Sequence, residues 1–258
     1  MRQTLNKLWF RQYQRARPDA VRLICLPFAG GVAGNFYDLA QRLSPAVEVV
    51  AVQYPGRQDR LREAPHEELN ALCDAVFAEL PAVMDGPVAL FGHSYGALIA
   101  YELACRMLQR GDRLCHIFLS AHGPQAAPRP EPVHKLSDSG LIAAVEGFGG
   151  PGAELLRDPV LAELALPILR ADLKAAETHS VSAAAPLPVP VSALFGEGDR
   201  RAPKESLAQW RAFAGGGFDL QGFAGAHLYF QERLEPLAEY LQEQLADCRV
   251  RSPMPVTA

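Results

Sequence analysis

Apolar residues follow two alternating patterns along this chain. Short, almost unbroken apolar runs predict six strands, at residues 21–28, 47–53, 87–91, 114–121, 189–199 and 218–223. Between most of these runs, apolar residues recur every three or four positions, which predicts helices at residues 35–43, 66–80, 97–110, 205–213 and 233–245.

The predicted strands are apolar at nearly every position, as expected for strands that are covered on both faces. Strands that alternate with helices in this way form a parallel sheet between two helical layers. The sequence therefore predicts an α/β fold with a mostly parallel central sheet. Residues 135–180 interrupt the alternation with two helical stretches and no clear strand. We expect them to form a helical insertion within a single domain of residues 1–258.

The composition is that of an ordinary globular protein, with 49% apolar residues, 21% charged residues and a net charge of −4. This charge does not suggest nucleic acid as a partner. No apolar run reaches the roughly 18 residues of a transmembrane helix, and no signal peptide is recognisable. Five scattered cysteines without CxxC spacing predict buried thiols in a reducing cytoplasm rather than a disulfide framework or a zinc site. Basic residues near the N-terminus predict a solvated arm: Arg2, Lys7, Arg11, Arg15 and Arg17.

Residues 91–97, FGHSYGA, place Ser94 between two glycines, at the junction of a predicted strand and a predicted helix. In that context the Gly-x-Ser-x-Gly pattern is typical of a nucleophilic serine on a tight strand-to-helix turn. The glycines leave room where side chains would clash, and the N-terminus of the helix favours negative charge that develops at the serine. We therefore predict that Ser94 is a nucleophile.

A serine nucleophile needs a base, and the base needs an acid that orients it. In folds with this turn the chain order is serine, acid, histidine. His227 follows the last predicted strand and is the predicted base, while the other histidines are expected to be packing or surface residues. Asp199, at the end of the preceding strand, is the predicted acid, with Asp219 and Glu197 as alternatives.

A tetrahedral intermediate at the serine would need backbone N–H donors for its oxyanion. One is expected from Tyr95, directly after the nucleophile, and the other from the glycine-rich loop after the first predicted strand. In that loop Ala29 is the first choice and Phe28 the second. A phosphate-binding loop is not indicated, because no Lys-Ser/Thr pair follows the glycines.

Several further motifs accompany this pattern from about Trp9 to Leu245: WF, LPFAGG, VQYPGRQDRL, SAHGP, KLSD, LPILRAD, FGEGD and GAHLYF. Together with FGHSYGA they resemble the type II thioesterases, the stand-alone editing enzymes of polyketide and nonribosomal peptide synthases, within the α/β-hydrolase superfamily. Residue by residue, the family's nucleophile, acid and base fall on Ser94, Asp199 and His227. Its oxyanion donors fall near Ala29 and Tyr95.

The resemblance implies a substrate and a setting. The substrate would be an acyl thioester on the phosphopantetheine arm of an acyl or peptidyl carrier domain, in antibiotic or siderophore biosynthesis. The enzyme would be a cytoplasmic monomer without a cofactor or metal. A small-molecule carboxylesterase or a fatty-acyl chain-terminating thioesterase would use the same residues. A non-catalytic ligand-binding module is the alternative from another class, and the ordered presence of serine, aspartate and histidine argues against it.

Under the same resemblance, the insertion at residues 135–180 is a lid that shapes the acyl channel. Pro167 lacks a backbone N–H, and its position in the second helical stretch predicts two helical pieces hinged near it. Four apolar residues around it are expected to line the route to the nucleophile: Leu164, Leu166, Ile168 and Leu169.

Overall fold

The computed structural model describes residues 6–14, 17, 19–84, 86–125, 131–148, 156–181 and 185–250. Seven strands of this part of the chain form one sheet: β1 (Phe10–Gln12), β2 (Val21–Leu26), β3 (Val47–Val52), β4 (Val88–His93), β5 (Leu114–Ser120), β6 (Val191–Gly196) and β7 (Phe218–Phe223). The α-helices of the described residues are α1 (Tyr37–Leu43), α2 (Leu69–Glu79), α3 (Tyr95–Arg110), α4 (Asp138–Glu146), α5 (Pro159–Thr178), α6 (Lys204–Ala208), α7 (Tyr229–Glu232) and α8 (Leu234–Val250).

The strand order is β1-β3-β2-β4-β5-β6-β7. Strands β2 to β7 are parallel to their neighbours, and β1 pairs antiparallel with β3 at the edge. The six predicted strands correspond to β2 to β7, which confirms the predicted α/β fold with a mostly parallel sheet. Two predicted helices are partly 3₁₀: Ala33–Phe36 precedes α1, and Gln209–Phe213 follows α6.

The prediction of a solvated N-terminal arm is wrong for the segment that forms β1. Phe10 is fully buried there, and its neighbour Arg11 forms an ion pair with Asp59. A strand of three residues is too short to show a pattern of its own, because its one buried side chain gives no periodicity. Of the basic residues in the predicted arm, Arg2 and Arg15 lie outside the described residues.

Buried side chains cover both faces of the sheet. Helices α2 and α3 pack on one face, and α1 and α8 pack on the other. Strand β4, between them, is buried along its whole length. Each fully buried Leu, Ile or Phe contributes roughly 1.5–3 kcal/mol of stabilisation, so packing on both faces stabilises the sheet.

The inserted segment packs through a small core of its own. Its two helices begin at side-chain caps: Ser137 accepts from Gly140 N–H, and Asp158 accepts from two N–H groups at the start of α5. Seven buried residues join these helices: Val133, Leu141, Leu156, Ala162, Leu166, Leu169 and Leu173. Within the described residues, no helix of the chain is long and apolar enough to cross a membrane.

The predicted hinge at Pro167 is wrong, because α5 runs without interruption from Pro159 to Thr178. Proline removes a single N–H donor, which would have paired with the carbonyl of Glu163. Both Pro167 and Glu163 are exposed, so water can pair with that carbonyl and the helix continues through the proline.

Candidate active site

Ser94 lies on the turn between β4 and α3, in a backbone conformation that L-residues rarely adopt (φ 55°, ψ −118°). Its N–H donates to the carbonyl of Ser120 at 2.7 Å, which ties the turn to β5. The flanking glycines are required by space: a Cβ at Gly92 would lie 2.0 Å from Gly96 O, and a Cβ at Gly96 would lie 2.0 Å from Leu26 O. The crowded turn holds the serine at the carboxyl edge of the sheet.

The three residues predicted as nucleophile, base and acid meet at this edge. Ser94 Oγ lies 2.9 Å from His227 Nε2, and His227 Nδ1 lies 2.7 Å from Asp199 Oδ2. The loops after β6 and β7 carry the acid and the histidine, so parallel neighbouring strands bring them to one place. Asp199 and His227 are each 6% exposed, which shields their hydrogen bond from water. This geometry suits a serine that is deprotonated by an oriented histidine.

Both oxygens of Asp199 have partners. Oδ1 accepts from the N–H of Arg201 at 2.8 Å and of Ala202 at 3.3 Å, and Oδ2 faces His227. Burial alone would raise the pKa of Asp199, but the hydrogen bond and charge of His227 and the two N–H donors outweigh it. The pKa of Asp199 therefore lies below its ordinary value. The carboxylate stays ionised and can stabilise an imidazolium beside it.

The two alternative acids lie elsewhere. Asp219 is exposed on β7, where its Oδ2 accepts a hydrogen bond of 2.6 Å from the hydroxyl of Tyr240. Glu197 is exposed just after β6, and its N–H donates to Phe223 O. Neither carboxylate is paired with His227, so the geometry favours Asp199 over both alternatives.

The predicted oxyanion donors lie near Ser94. Ala29 and Tyr95 line the same cavity as Ser94, and Tyr95 is the first residue of α3. The second-choice donor, Phe28, belongs to the same loop, where its carbonyl accepts from Gly31 N–H at 2.8 Å and closes a turn around Ala29. The roles of Ala29, Tyr95 and Phe28 stay predictions.

Two cavities of different character meet at Ser94 and His227. One has a volume of about 410 Å³, and most of its wall is apolar: Phe28, Val32, Val145, Phe148, Leu156, Leu161, Ala165, Ile168, Leu169, Leu173 and Leu228. The other has a volume of about 270 Å³, and the described part of its wall includes the polar side chains of His122, Gln125, Glu177, Ser206 and Arg201, the last of which also lines the first cavity.

The lid residues predicted to line the acyl route divide into two groups. Ile168 and Leu169 are part of the apolar wall. Leu164 is instead 50% exposed on the outer side of α5, and Leu166 is buried within the core of the lid. The prediction is therefore wrong for Leu164 and Leu166, because a continuous helix turns neighbouring residues toward different sides.

A family model for the thioesterase domain matches residues 21–245, a span that contains the serine turn, the acid loop and the histidine loop. The chain belongs to the thioesterase family. Thioesterase PikA5 of Streptomyces venezuelae is 39% identical over 92% of this chain and 85% of its own length. Gramicidin S biosynthesis protein GrsT of Aneurinibacillus migulanus is 30% identical over 93% of this chain and 94% of its own length.

Solved structures agree with the sequence relatives. The type II thioesterase BorB from the borrelidin biosynthetic cluster superposes with a TM-score of 0.86 at 39% identity, and the match covers 94% of this chain and 99% of BorB. RedJ, a thioesterase from the prodiginine pathway of Streptomyces coelicolor, gives 0.81 at 35% identity over 90% of this chain and 89% of its own. This thioesterase is therefore of type II within the α/β-hydrolase superfamily, a serine hydrolase that acts on thioesters, as the motifs predicted.

A buried histidine beside the base was expected to be a packing or surface residue. His93 is fully buried, and its ring centroid lies 5.5 Å from that of His227. Its Nδ1 lies 2.8 Å from Ser120 Oγ, which is in turn 2.7 Å from the hydroxyl of Tyr229. Burial and, to a lesser degree, the neighbouring charge of His227 lower the pKa of His93 to about 3. His93 is thus a neutral packing residue of the thioesterase rather than a second base.

Arg201 joins the acid loop to the lid of this thioesterase. Its N–H donates to Asp199, while its guanidinium carbon lies 3.2 Å from the ring centroid of Phe148, just after α4. The Phe148 ring lies in turn 6.2 Å from the ring of His227. Sequence patterns gave no role to Arg201, because neither the cation–π contact nor the loop position that creates it has a local signal.

Two other residues without a predicted role connect the lid of the thioesterase to the loop after β3. Arg57 is in YPGRQDR, in that loop, and Asp172 is in LPILRAD, on lid helix α5. They form a buried ion pair. Thioesterases of this superfamily typically work without a cofactor. Among the residues that the structure describes, no group of three or more His, Cys, Asp or Glu is placed to hold a metal ion.

Proposed function

We propose that this thioesterase hydrolyses acyl groups from the phosphopantetheine arm of acyl or peptidyl carrier domains, with Ser94, His227 and Asp199 as its catalytic triad. The observation that carries the proposal is the meeting of an apolar and a more polar cavity at Ser94. A carrier-bound thioester has the same two halves, an acyl chain and a hydrogen-bonding amide arm. The apolar cavity would take the acyl chain, and the polar cavity would take the arm.

In the first half of the reaction, His227 Nε2 takes the proton of Ser94 Oγ as the oxygen attacks the thioester carbonyl carbon. The N–H groups of Ala29 and Tyr95 would hold the oxyanion that forms. The imidazolium, stabilised by Asp199, then gives its proton to the departing thiolate. The arm leaves as a thiol, and the acyl group remains as an ester on the serine.

In the second half, His227 takes a proton from a water molecule as this water attacks the ester carbonyl carbon. The oxyanion forms in the same hole, and collapse of the intermediate returns the proton to Ser94 Oγ. The acid product then leaves through the apolar cavity. The buried pair of His227 and Asp199 acts in both half-reactions, because His227 alternates between its neutral and protonated forms beside the carboxylate.

Relatives of this chain belong to the biosynthesis of gramicidin S, borrelidin and prodiginine, and the similar type II thioesterase YbtT belongs to the yersiniabactin NRPS/PKS pathway. By analogy with these relatives, the natural partners would be carrier domains of a polyketide or nonribosomal peptide synthase. The biological role of the enzyme would be to free carrier domains that hold stalled or wrong acyl units. We propose further that the chain acts as a cytoplasmic monomer and as one catalytic domain of residues 1–258 with the lid at 135–180. The triad chemistry above needs no cofactor or metal.

The test compares wild-type protein with Ser94→Ala on an acylated carrier protein, with product acid measured by mass spectrometry. Loss of the nucleophile should lower kcat on the order of 10⁴-fold or more, and a fluorophosphonate probe should label only the wild type. Ser139→Ala, a change at an exposed serine on α4, is the matched control and should keep full activity. Retention of a tenth of the wild-type kcat in Ser94→Ala would contradict the assignment of Ser94 as the nucleophile. Faster turnover of small p-nitrophenyl esters than of the acyl carrier would favour a carboxylesterase.

A further inference from the structure

A buried ion pair connects the lid to the loop after β3. The guanidinium of Arg57 binds the carboxylate of Asp172, which lies on lid helix α5, and both side chains are 2% exposed. Arg57 also donates from Nη1 to Pro55 O at 2.6 Å and from Nε to Gly31 O at 3.0 Å. One side chain thereby holds three separate segments together.

The same carboxylate reaches the loop that carries the proposed oxyanion donor. Asp172 Oδ2 accepts from Gly30 N–H at 2.7 Å, directly after Ala29. The lid helix also lies close against this loop, because a Cβ at Gly30 would be only 2.5 Å from Leu169 Cδ2. Asp172 holds the N–H of Gly30, and Arg57 holds the carbonyl of Gly31. The ion pair is therefore hydrogen-bonded to this turn through one backbone donor and one backbone acceptor.

These hydrogen bonds affect the direction of one further backbone group, the N–H of Ala29. Phe28 C=O and Ala29 N–H belong to the same planar trans peptide, so they point in opposite directions. Gly31 N–H donates to Phe28 O at 2.8 Å, which turns that carbonyl into the loop and the Ala29 N–H away from it. Of the three peptides that follow, the first carries Gly30 N–H and the third carries Gly31 O, and the ion pair holds both of these groups. Release of either contact would let the turn rotate and the Ala29 N–H swing with it.

Stability alone is a poor reason for this arrangement. Removing two charges from water costs as much as their attraction returns in many proteins, so a buried ion pair is weak grounds for stability. Apolar residues would fill the same space at no such cost. What the charges supply here is a fixed set of directed hydrogen bonds to two backbone groups beside the nucleophile.

We propose that Arg57 and Asp172 are positioning residues, which hold the Ala29 N–H in the direction that the oxyanion requires. Because Asp172 belongs to lid helix α5, the oxyanion loop has its working shape only while this helix is docked. The inference rests on the proposed function, in which Ala29 is an oxyanion donor.

The test uses the full-length enzyme with Asp172→Asn, which keeps an acceptor for Gly30 N–H but loses the charge that orients Arg57. The double variant Arg57→Gln/Asp172→Asn removes both charges, so no unpaired buried charge is left to unfold the protein. Loss of a whole oxyanion donor lowers kcat about 10²- to 10³-fold. Displacement of the Ala29 N–H should lower kcat at least tenfold in each variant. The concentration of active sites used to calculate kcat is measured by labelling with a fluorophosphonate probe.

Two affinities separate positioning from simple support of the fold. An acyl trifluoromethyl ketone forms a tetrahedral adduct on Ser94 whose oxyanion needs the hole, so its affinity should fall in parallel with kcat. A thioether analogue of the acylated arm has no carbonyl, so its affinity should stay within threefold. Glu48→Gln, which breaks the half-buried ion pair with Arg22 far from the site, is the control and should change neither affinity.

An unchanged kcat and ketone affinity in the double variant, with or without a lower melting temperature, would overturn the inference. So would an equal loss of ketone and thioether affinity, since that would indicate general damage to the cavity. Failure of the proposed function is distinguishable, because the wild-type enzyme would then show no acyl-carrier hydrolysis and no labelling of Ser94.

Discussion

Asp199 Oδ2 lies 2.7 Å from His227 Nδ1 across the loops that follow β6 and β7. The other oxygen of Asp199 accepts two backbone N–H groups, so the carboxylate cannot rotate away without the loss of those bonds. The histidine is therefore held with Nε2 toward Ser94, which is the direction that proton transfer from the nucleophile requires.

Asp199→Asn should lower kcat by about 10⁴-fold, because the amide cannot stabilise the imidazolium and favours the wrong tautomer of His227. The kcat of Asp219→Asn should stay within twofold of wild type. Asp219 is exposed on β7 and its carboxylate is paired with the hydroxyl of Tyr240 on α8, not with His227. Steady-state kinetics on one acyl-carrier substrate measures both variants. An exchange of the two phenotypes would identify Asp219 as the acid.

The sequence was sufficient to predict how these three side chains meet. Ser94, Asp199 and His227 each follow a predicted strand, and parallel strands place the residues that follow them at one edge of the sheet. Arg57 and Asp172 could not be predicted in this way. Their contact joins segments 115 residues apart, and neither residue is in a pattern whose chemistry indicates a partner. Long-range pairs of this kind depend on how the lid docks, which local periodicity does not encode.

Thermal stability should fall as the pH drops from about 6.5 toward 4. Burial lowers the pKa of His93 to about 3 and those of His116 and His122 to about 4, whereas an unfolded histidine takes up a proton near pH 6.5. The unfolded chain then binds more protons than the folded one throughout this window, so acid favours unfolding, and the stability is complete only above it. Each histidine contributes a slope of roughly 1.4 kcal/mol per pH unit.

Calorimetry between pH 7.5 and 4.5 measures that slope, at pH values above the range in which Asp199 titrates. His116→Gln should reduce the slope by about a third, although the protein loses the ring contact with Phe118 and the hydrogen bond to Ser192. A melting temperature that is constant down to pH 4.5 would mean that these histidines are protonated in the folded protein.

Pro167→Ala should raise the melting temperature. Helix α5 continues through Pro167, and an alanine there would restore the missing N–H bond within the helix. Proline inside a helix costs about 3 kcal/mol, of which its restriction of the unfolded chain returns about 0.4–1 kcal/mol. The net gain should be about 2–2.5 kcal/mol of unfolding free energy, read from denaturant titration. An equal or lower stability would mean that the restriction of the unfolded chain by proline outweighs the missing helical hydrogen bond.

The last prediction concerns the length of acyl chain that the apolar cavity accepts. Leu161 and Ile168 lie on its wall and project from α5, so truncation of either lengthens or widens the space without touching the triad. Leu161→Ala and Ile168→Ala should raise kcat/KM for an octanoyl carrier relative to an acetyl carrier by severalfold. A larger cavity adds contact only for the longer chain, at about 0.8 kcal/mol per buried CH₂, whereas the acetyl group does not reach it.

Two neighbours on the same helix serve as controls for this series. Leu166 is buried in the lid core and is not part of the cavity wall, so Leu166→Ala should cost about 2–5 kcal/mol of stability and leave the chain-length profile unchanged. Leu164 is 50% exposed, so Leu164→Ala should change neither quantity. Kinetics with acetyl, butyryl and octanoyl carriers and a melting curve for each variant complete the test. If Leu166→Ala alone altered the profile, the lid would act through its packing rather than through the side chains on the wall, and the apolar cavity would not be the acyl site.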